Sequence, residues 1–243
     1  MINRLAYILL VAGLAVAGWS AFQWYSGTAG VSLDPERAQA VDENWSDTSF
    51  QEVYQVIEMD SLEDLPAFGS VSDEPPLITE IEEQSDGTVR EEYPYEAGDE
   101  AGELIIPRLD RIYDVFWGTD DETLDQGVGY HEGDFTTPPD GLRHTVLSGH
   151  RDTVFRELGE LEEGDRLYVE FEGSLYEYQI RDIWITDAED RTVIVEKDSP
   201  TLTLTTCYPF NYFGSAPDRY IIQAELTDIT EKGSDENLVR EEA

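Results

Sequence analysis

The sequence predicts an all-β domain over residues 101–229, an antiparallel barrel or sandwich, carried behind an N-terminal membrane-spanning helix. Two observations predict the β-domain. Between Leu104 and Leu226 the apolar residues fall in short runs, several with alternating periodicity, and these runs are punctuated by Gly and Pro. Such spacing suits antiparallel strands joined by tight turns. A third observation predicts the helix: Leu5 to Tyr25 is a run of 21 residues without a charge.

The N-terminal run comes first. At 1.5 Å per residue it makes a helix roughly 30 Å long, enough to cross a bilayer. Trp19, Trp24 and Tyr25 gather near its outer end, where aromatic rings favour the headgroup region. Arg4 is the only charged side chain at the inner end, so the bulk of the chain is expected outside the cell. A cleaved signal peptide is the competing reading, since Ala21 and the small residues from Ser26 to Gly30 allow cleavage. Residues 1–30 are assigned to an uncleaved anchor, because the run exceeds an ordinary signal core and has no polar face.

Residues 31–100 read as an acidic stalk, mostly disordered. They are rich in Asp, Glu, Ser and Pro and poor in sustained apolar periodicity, so they bury too little apolar surface to offset the entropy of ordering. Phe50 to Leu65 is the exception, with Val53, Val56 and Ile57 near the spacing of a short amphipathic helix.

Within residues 101–229 the expected strands are Leu104–Pro107, Arg111–Trp117, Thr145–Leu147, Arg166–Phe171, Leu175–Thr186, Thr201–Thr206 and Tyr220–Leu226. One helix is expected to interrupt them, capped by Asp152 or Thr153, with Val154, Leu158 and Leu161 on one face. Residues 230–243 read as a charged tail.

Charge narrows the function. The chain has 54 Asp and Glu against 15 Lys and Arg, and only Lys197 and Lys232 are lysines. The acids are spread along the chain, as in proteins of salt-loving organisms, whose self-repulsion is screened at high ionic strength. A nucleic-acid partner is excluded, because phosphate binding needs a basic stripe. With acids so evenly spread, no subset stands out as a metal site, and no metal or cofactor is expected.

Three residues can carry chemistry. Cys207 is the only cysteine, and in an exported chain it forms no internal disulfide. A lone cysteine is ordinarily a small buried hydrophobe. Here it ends the strand Thr201–Thr206, just before Pro209 stops the ladder, a place both rigid and open. Arg219 opens the strand that an 11-residue loop joins to it, so antiparallel pairing brings Arg219 to Cys207. A guanidinium there can hold an oxyanion, or it can simply pair with Asp218. His150 follows a strand end and can exchange protons near neutral pH. His131 and His144 read as plain surface residues.

Ser148-Gly149-His150-Arg151-Asp152, Thr203-Leu204-Thr205-Thr206-Cys207 and Ala216-Pro217-Asp218-Arg219-Tyr220-Ile221 resemble the three signature segments of the sortases. Leu147 to Phe155, with Thr206-Cys207-Tyr208-Pro209-Phe210, is most like class D. The resemblance implies a closed, mostly antiparallel eight-stranded β-barrel with one or two short helices, and a cysteine transpeptidase of a Gram-positive cell membrane, with its catalytic domain outside. It implies that Cys207 attacks the Thr carbonyl of a Leu-Pro-x-Thr sorting signal on a surface protein. An amine of a peptidoglycan precursor then resolves the thioester. His150 would shuttle protons and Arg219 would hold the oxyanion, with Thr206 and Tyr208 shaping the substrate groove. A cysteine endopeptidase, with water as acceptor, and a non-enzymatic acidic surface-binding module are the alternatives.

Overall fold

The computed structural model describes residues 2–26, 28, 30–56, 93–211, 214 and 216–231. Nine strands form one sheet: β1 (Val31–Leu33), β2 (Glu100–Ile106), β3 (Arg111–Trp117), β4 (Val128–Tyr130), β5 (His144–Ser148), β6 (Arg166–Phe171), β7 (Ser174–Asp187), β8 (Thr201–Tyr208) and β9 (Asp218–Glu231). Their order is β1-β3-β2-β6-β7-β9-β8-β5-β4, and a parallel β3–β4 pairing closes strands β2 to β9 into an eight-stranded barrel. Most pairings are antiparallel; β5–β8 is the second parallel one. β1 adds to the edge of β3 beside β4.

Alternation along the strands fills the barrel. Leu104 pairs with Tyr113 and Val169, Tyr178 with Leu167 and Leu226, and Leu204 with Leu147 and Ile222. All are buried and share the inward face.

The helices are short, apart from α1 (Ile2–Ser26), and include α2 (Pro35–Gln39) and α3 (Asp121–Leu124). α1 contains the uncharged run. Among the described residues no helix is long and apolar enough to cross a membrane.

Two expectations are corrected here. No α-helix covers 152–161: that stretch is a series of turns ending in a single 3-10 turn at Leu158–Glu160. Asp152 spends its carboxylate on Arg151, and Gly159, a poor helix former, leaves room for the Phe210 ring. Val154, Leu158 and Leu161 are nevertheless buried.

The second correction concerns the stalk. Residues 31–55 form one unit with the barrel. Ala38 of α2 is buried against Ile105, Ile112 and Tyr168 on the outward face of β2, β3 and β6, with Val41 and Trp45 packed beside it. Arg166, 6% exposed, bonds to Asp42 at 3.0 Å and Glu177 at 2.9 Å, and Tyr168 donates to Asp42. Farther on, the chain is extended: the Gln51 N–H donates to Gln179 Oε1 and the Tyr54 N–H to the Leu226 carbonyl. Phe50–Val56 is therefore not helical, while Ile57–Leu65 lies outside the described residues. Composition alone missed this because the carboxylate at the contact, Asp42, is neutralised by Arg166, more than a hundred residues away in sequence. Residues 232–243, the expected tail, also lie outside the described residues.

Candidate active site

Cys207 stands one residue from the end of β8, and its register partner across the β8–β9 pair is Arg219. Residues directly opposite on antiparallel strands have Cβ atoms about 5 Å apart. Both side chains are half-buried, and Arg219 Nη1 donates to the Asp218 carbonyl at 3.1 Å. The expected neighbours thus meet.

His150 is brought to the same end of the sheet by β5. Ser148 pairs with Thr205, the Gly149 N–H donates to the Thr205 carbonyl, and the Thr206 hydroxyl donates to the Gly149 carbonyl at 2.7 Å. These bonds fix the backbone before His150 against the backbone before Cys207. Gly149 is needed at this approach: a Cβ there would lie 2.7 Å from the Phe155 ring. The imidazole is 41% exposed, and its Nε2 lies 3.6 Å from Asp125 Oδ1. Asp152, near in sequence, turns instead to Arg151.

Arg151 is 6% exposed and donates to the carbonyls of Pro209 (3.1 Å) and Gly214 (3.0 Å). It anchors the loop that joins the Cys207 and Arg219 strands to the His150 segment.

Thr206 and Tyr208 sit differently from the expected groove positions. On a strand, neighbours point to opposite faces, so both project away from the face of Cys207. Thr206 is 3% exposed, and its hydroxyl ties β8 to Gly149. Tyr208 packs with Phe210 and Tyr220. The face of Cys207 carries Thr205 and, across the register, Ser148 and Ile221, which period-two counting could have named.

The other histidines are not surface residues. His131 is half-buried, and burial lowers its basicity. His144 is fully buried, its ring nitrogens 2.8 Å from the Val195 carbonyl and 2.8 Å from the Thr203 hydroxyl, and burial depresses its pKa to about 4. Among the described residues no group of three or more His, Cys, Asp or Glu could hold a metal ion.

Residues 104–227 match the family described as Sortase domain. The chain belongs to the sortase family. This sortase is 43% identical over 128 residues to Sortase D of Bacillus subtilis, an alignment covering 52% of this chain and 64% of that relative. Among solved structures it is similar to the catalytic domain of B. anthracis SrtD, with 52% identity, a TM-score of 0.52, and coverage of 60% of this chain and 99% of that one. Sortase E1 from Streptomyces coelicolor, solved with a tripeptide in its active site, matches at 28% identity and a TM-score of 0.52, covering 57% of this chain and 94% of that one. The strand-end cysteine of this sortase therefore sits in a fold of known kind, most like class D.

Proposed function

We propose that this sortase is a cysteine transpeptidase that cleaves a Leu-Pro-x-Thr sorting signal after Thr and joins the acyl group to a cell-wall amine. The observation that carries this reading is the cross-strand pair Cys207–Arg219, with His150 fixed on the neighbouring strand end.

In the first half-reaction the Cys207 thiolate attacks the Thr carbonyl carbon. The Arg219 guanidinium lies beside the oxyanion that forms and can donate two hydrogen bonds to it. As the C–N bond breaks, His150 gives a proton to the departing amine, leaving a thioester on Cys207. In the second half His150 takes a proton from an incoming amine. Its nitrogen attacks the thioester carbonyl, the C–S bond breaks, and the Cys207 thiolate returns. No step calls for a metal or cofactor.

The uncharged run in α1 supports a single membrane span with the barrel outside the cell, facing surface-protein substrates and peptidoglycan precursors. The even acidic coat supports work at high salt, where it is screened.

The test uses residues 31–243 in high salt, with quenched Leu-Pro-x-Thr-Gly and Leu-Pro-x-Thr-Ala peptides and triglycine. A Cys207-dependent acyl-enzyme that passes to triglycine is the expected result. Release to water alone would make the protein an endopeptidase. Absence of any acyl-enzyme on both peptides would overturn the assigned substrate.

A further inference from the structure

Two ties hold the His150 segment to the end of β8, and they bracket both His150 and Cys207. The first lies before each of them: the Thr206 hydroxyl donates to the Gly149 carbonyl at 2.7 Å. The second lies after each of them. Arg151 reaches the loop that follows β8, where Nη1 donates to the Pro209 carbonyl at 3.1 Å and Nη2 to the Gly214 carbonyl at 3.0 Å. Residues 149 and 151 thus grip residues 206 and 209, with His150 and Cys207 between.

The two side chains depend on these ties unequally. Cys207 and Arg219 sit inside the β8–β9 ladder, which runs on to the pair Tyr208–Asp218, so backbone hydrogen bonds fix them. β5 ends at Ser148, and His150 lies in the turn beyond it. The Phe155 N–H closes that turn by donating to the His150 carbonyl at 2.9 Å, and the buried Phe155 ring seats its far end beside Tyr113. Among the described residues the imidazole itself has no tether stronger than Asp125, 3.6 Å away, with both side chains open to water. The place of the ring is therefore set by the backbone on either side of it.

Arg151 suits this task chemically. Pro209 has no N–H and ends the ladder, so the loop beyond it needs another hold. A guanidinium is a rigid fork that reaches two carbonyls at once. The side chain is 6% exposed, and bonds made out of water are the stronger for it. Nε takes Asp152 at 3.3 Å, so all three nitrogens donate and the buried cation is satisfied.

We propose that Arg151 is the positioning residue of His150: by clamping residue 151 to Pro209 and Gly214 it holds the imidazole in line with Cys207 for both proton transfers, an assignment that rests on the transpeptidase reading. Buried as it is, Arg151 is withdrawn from substrate. Its loss shifts His150 and leaves the thiol and the Arg219 guanidinium on their ladder.

The full chain, kept soluble in detergent, is prepared as Arg151→Lys and Arg151→Ala and assayed on a quenched Leu-Pro-x-Thr peptide with triglycine. Arg151→Lys keeps the charge and loses the fork. It should lower kcat about tenfold and Arg151→Ala about a hundredfold, with KM for the peptide held within about threefold. Acylation and transfer to triglycine should slow by similar factors, since His150 serves both. Alkylation of Cys207 at about pH 9.5, where a thiol ionises unaided, should keep its wild-type rate. Guanidinium chloride at tens of millimolar should raise kcat of Arg151→Ala about tenfold, whereas sodium chloride at the same ionic strength should not. If Arg151→Ala does not fold, Arg151→Lys decides. Unchanged kcat in a folded variant, a raised KM with kcat kept, or slowed alkylation would overturn the proposal. Wild-type protein that forms no acyl-enzyme would instead sink the transpeptidase reading, and this assignment with it.

Discussion

Cys207 and Arg219 face each other across the β8–β9 ladder as direct register partners, although 11 residues separate them in sequence. The backbone that carries the guanidinium is therefore fixed by the ladder, and Nη1 itself donates to the Asp218 carbonyl.

This placement makes Arg219 sensitive to geometry as well as charge. Arg219→Lys keeps the cation but loses the planar fork, and kcat should fall by about 10²-fold or more. Melting temperature should stay close to wild type, since the side chain is only half-buried. Cys207→Ala should give no acyl-enzyme by intact mass.

His144 should shape the acid limb of stability. Its folded pKa is depressed to about 4 from an ordinary 6.5, so between these values the unfolded chain binds the extra proton. Stability is then full above pH 6.5 and falls as pH drops toward 4, by on the order of 3 kcal/mol. Urea unfolding at pH 7, 5 and 4 should show this slope in wild type and a flatter one in His144→Asn.

Arg166 bridges Asp42 and Glu177 while almost fully buried. Arg166→Met should cost about 3–5 kcal/mol, because it leaves two carboxylates without their partner. Denaturant titration measures this. Substituting Asp42 as well, by Asn, should recover part of the loss through the double-mutant cycle.

Gly149→Ala should destabilise by about 1–3 kcal/mol, since its methyl would enter the Phe155 ring. Relief should come at the expense of the Gly149–Thr206 bond, so activity should fall more steeply than stability. Peptide cleavage and thermal unfolding, measured on one preparation, compare the two.

Asp125→Asn should change kcat by less than about threefold. Its contact with His150 is 3.6 Å long and exposed at both ends, where ion pairs are worth little. A loss of a hundredfold or more in the same assay would make Asp125 part of the proton-transfer machinery.

Seven of the nine strands were legible in the sequence, because each carries at least a few residues of apolar pattern between turn signals. β1 and β4 were not, as three residues are too few to show alternation. The parallel β3–β4 pairing that closes the barrel leaves no local signature at all. At the site, the Cys207–Arg219 meeting followed from a loop between two antiparallel strands. Thr206 and Tyr208, which the resemblance sets at the groove, adjoin Cys207 in the chain, and the alternation that orients Cys207 puts them on the other face of β8. Burial of His144 depends on a loop some 50 residues later, beyond the reach of local pattern.

The contacts of residues 31–55 and 95–100 shorten the protein's reach. Tyr54 bonds to β9 and Tyr95 to Glu172 beside the β6–β7 turn. Between the end of α1 at Ser26 and the first barrel contact at Gly30, only four peptide steps remain. Fully extended they cover about 14 Å, whereas a 70-residue spacer could cover over 200 Å. On so short a leash the barrel stays within about a domain's breadth of the end of α1, and whatever it acts on must come to it there.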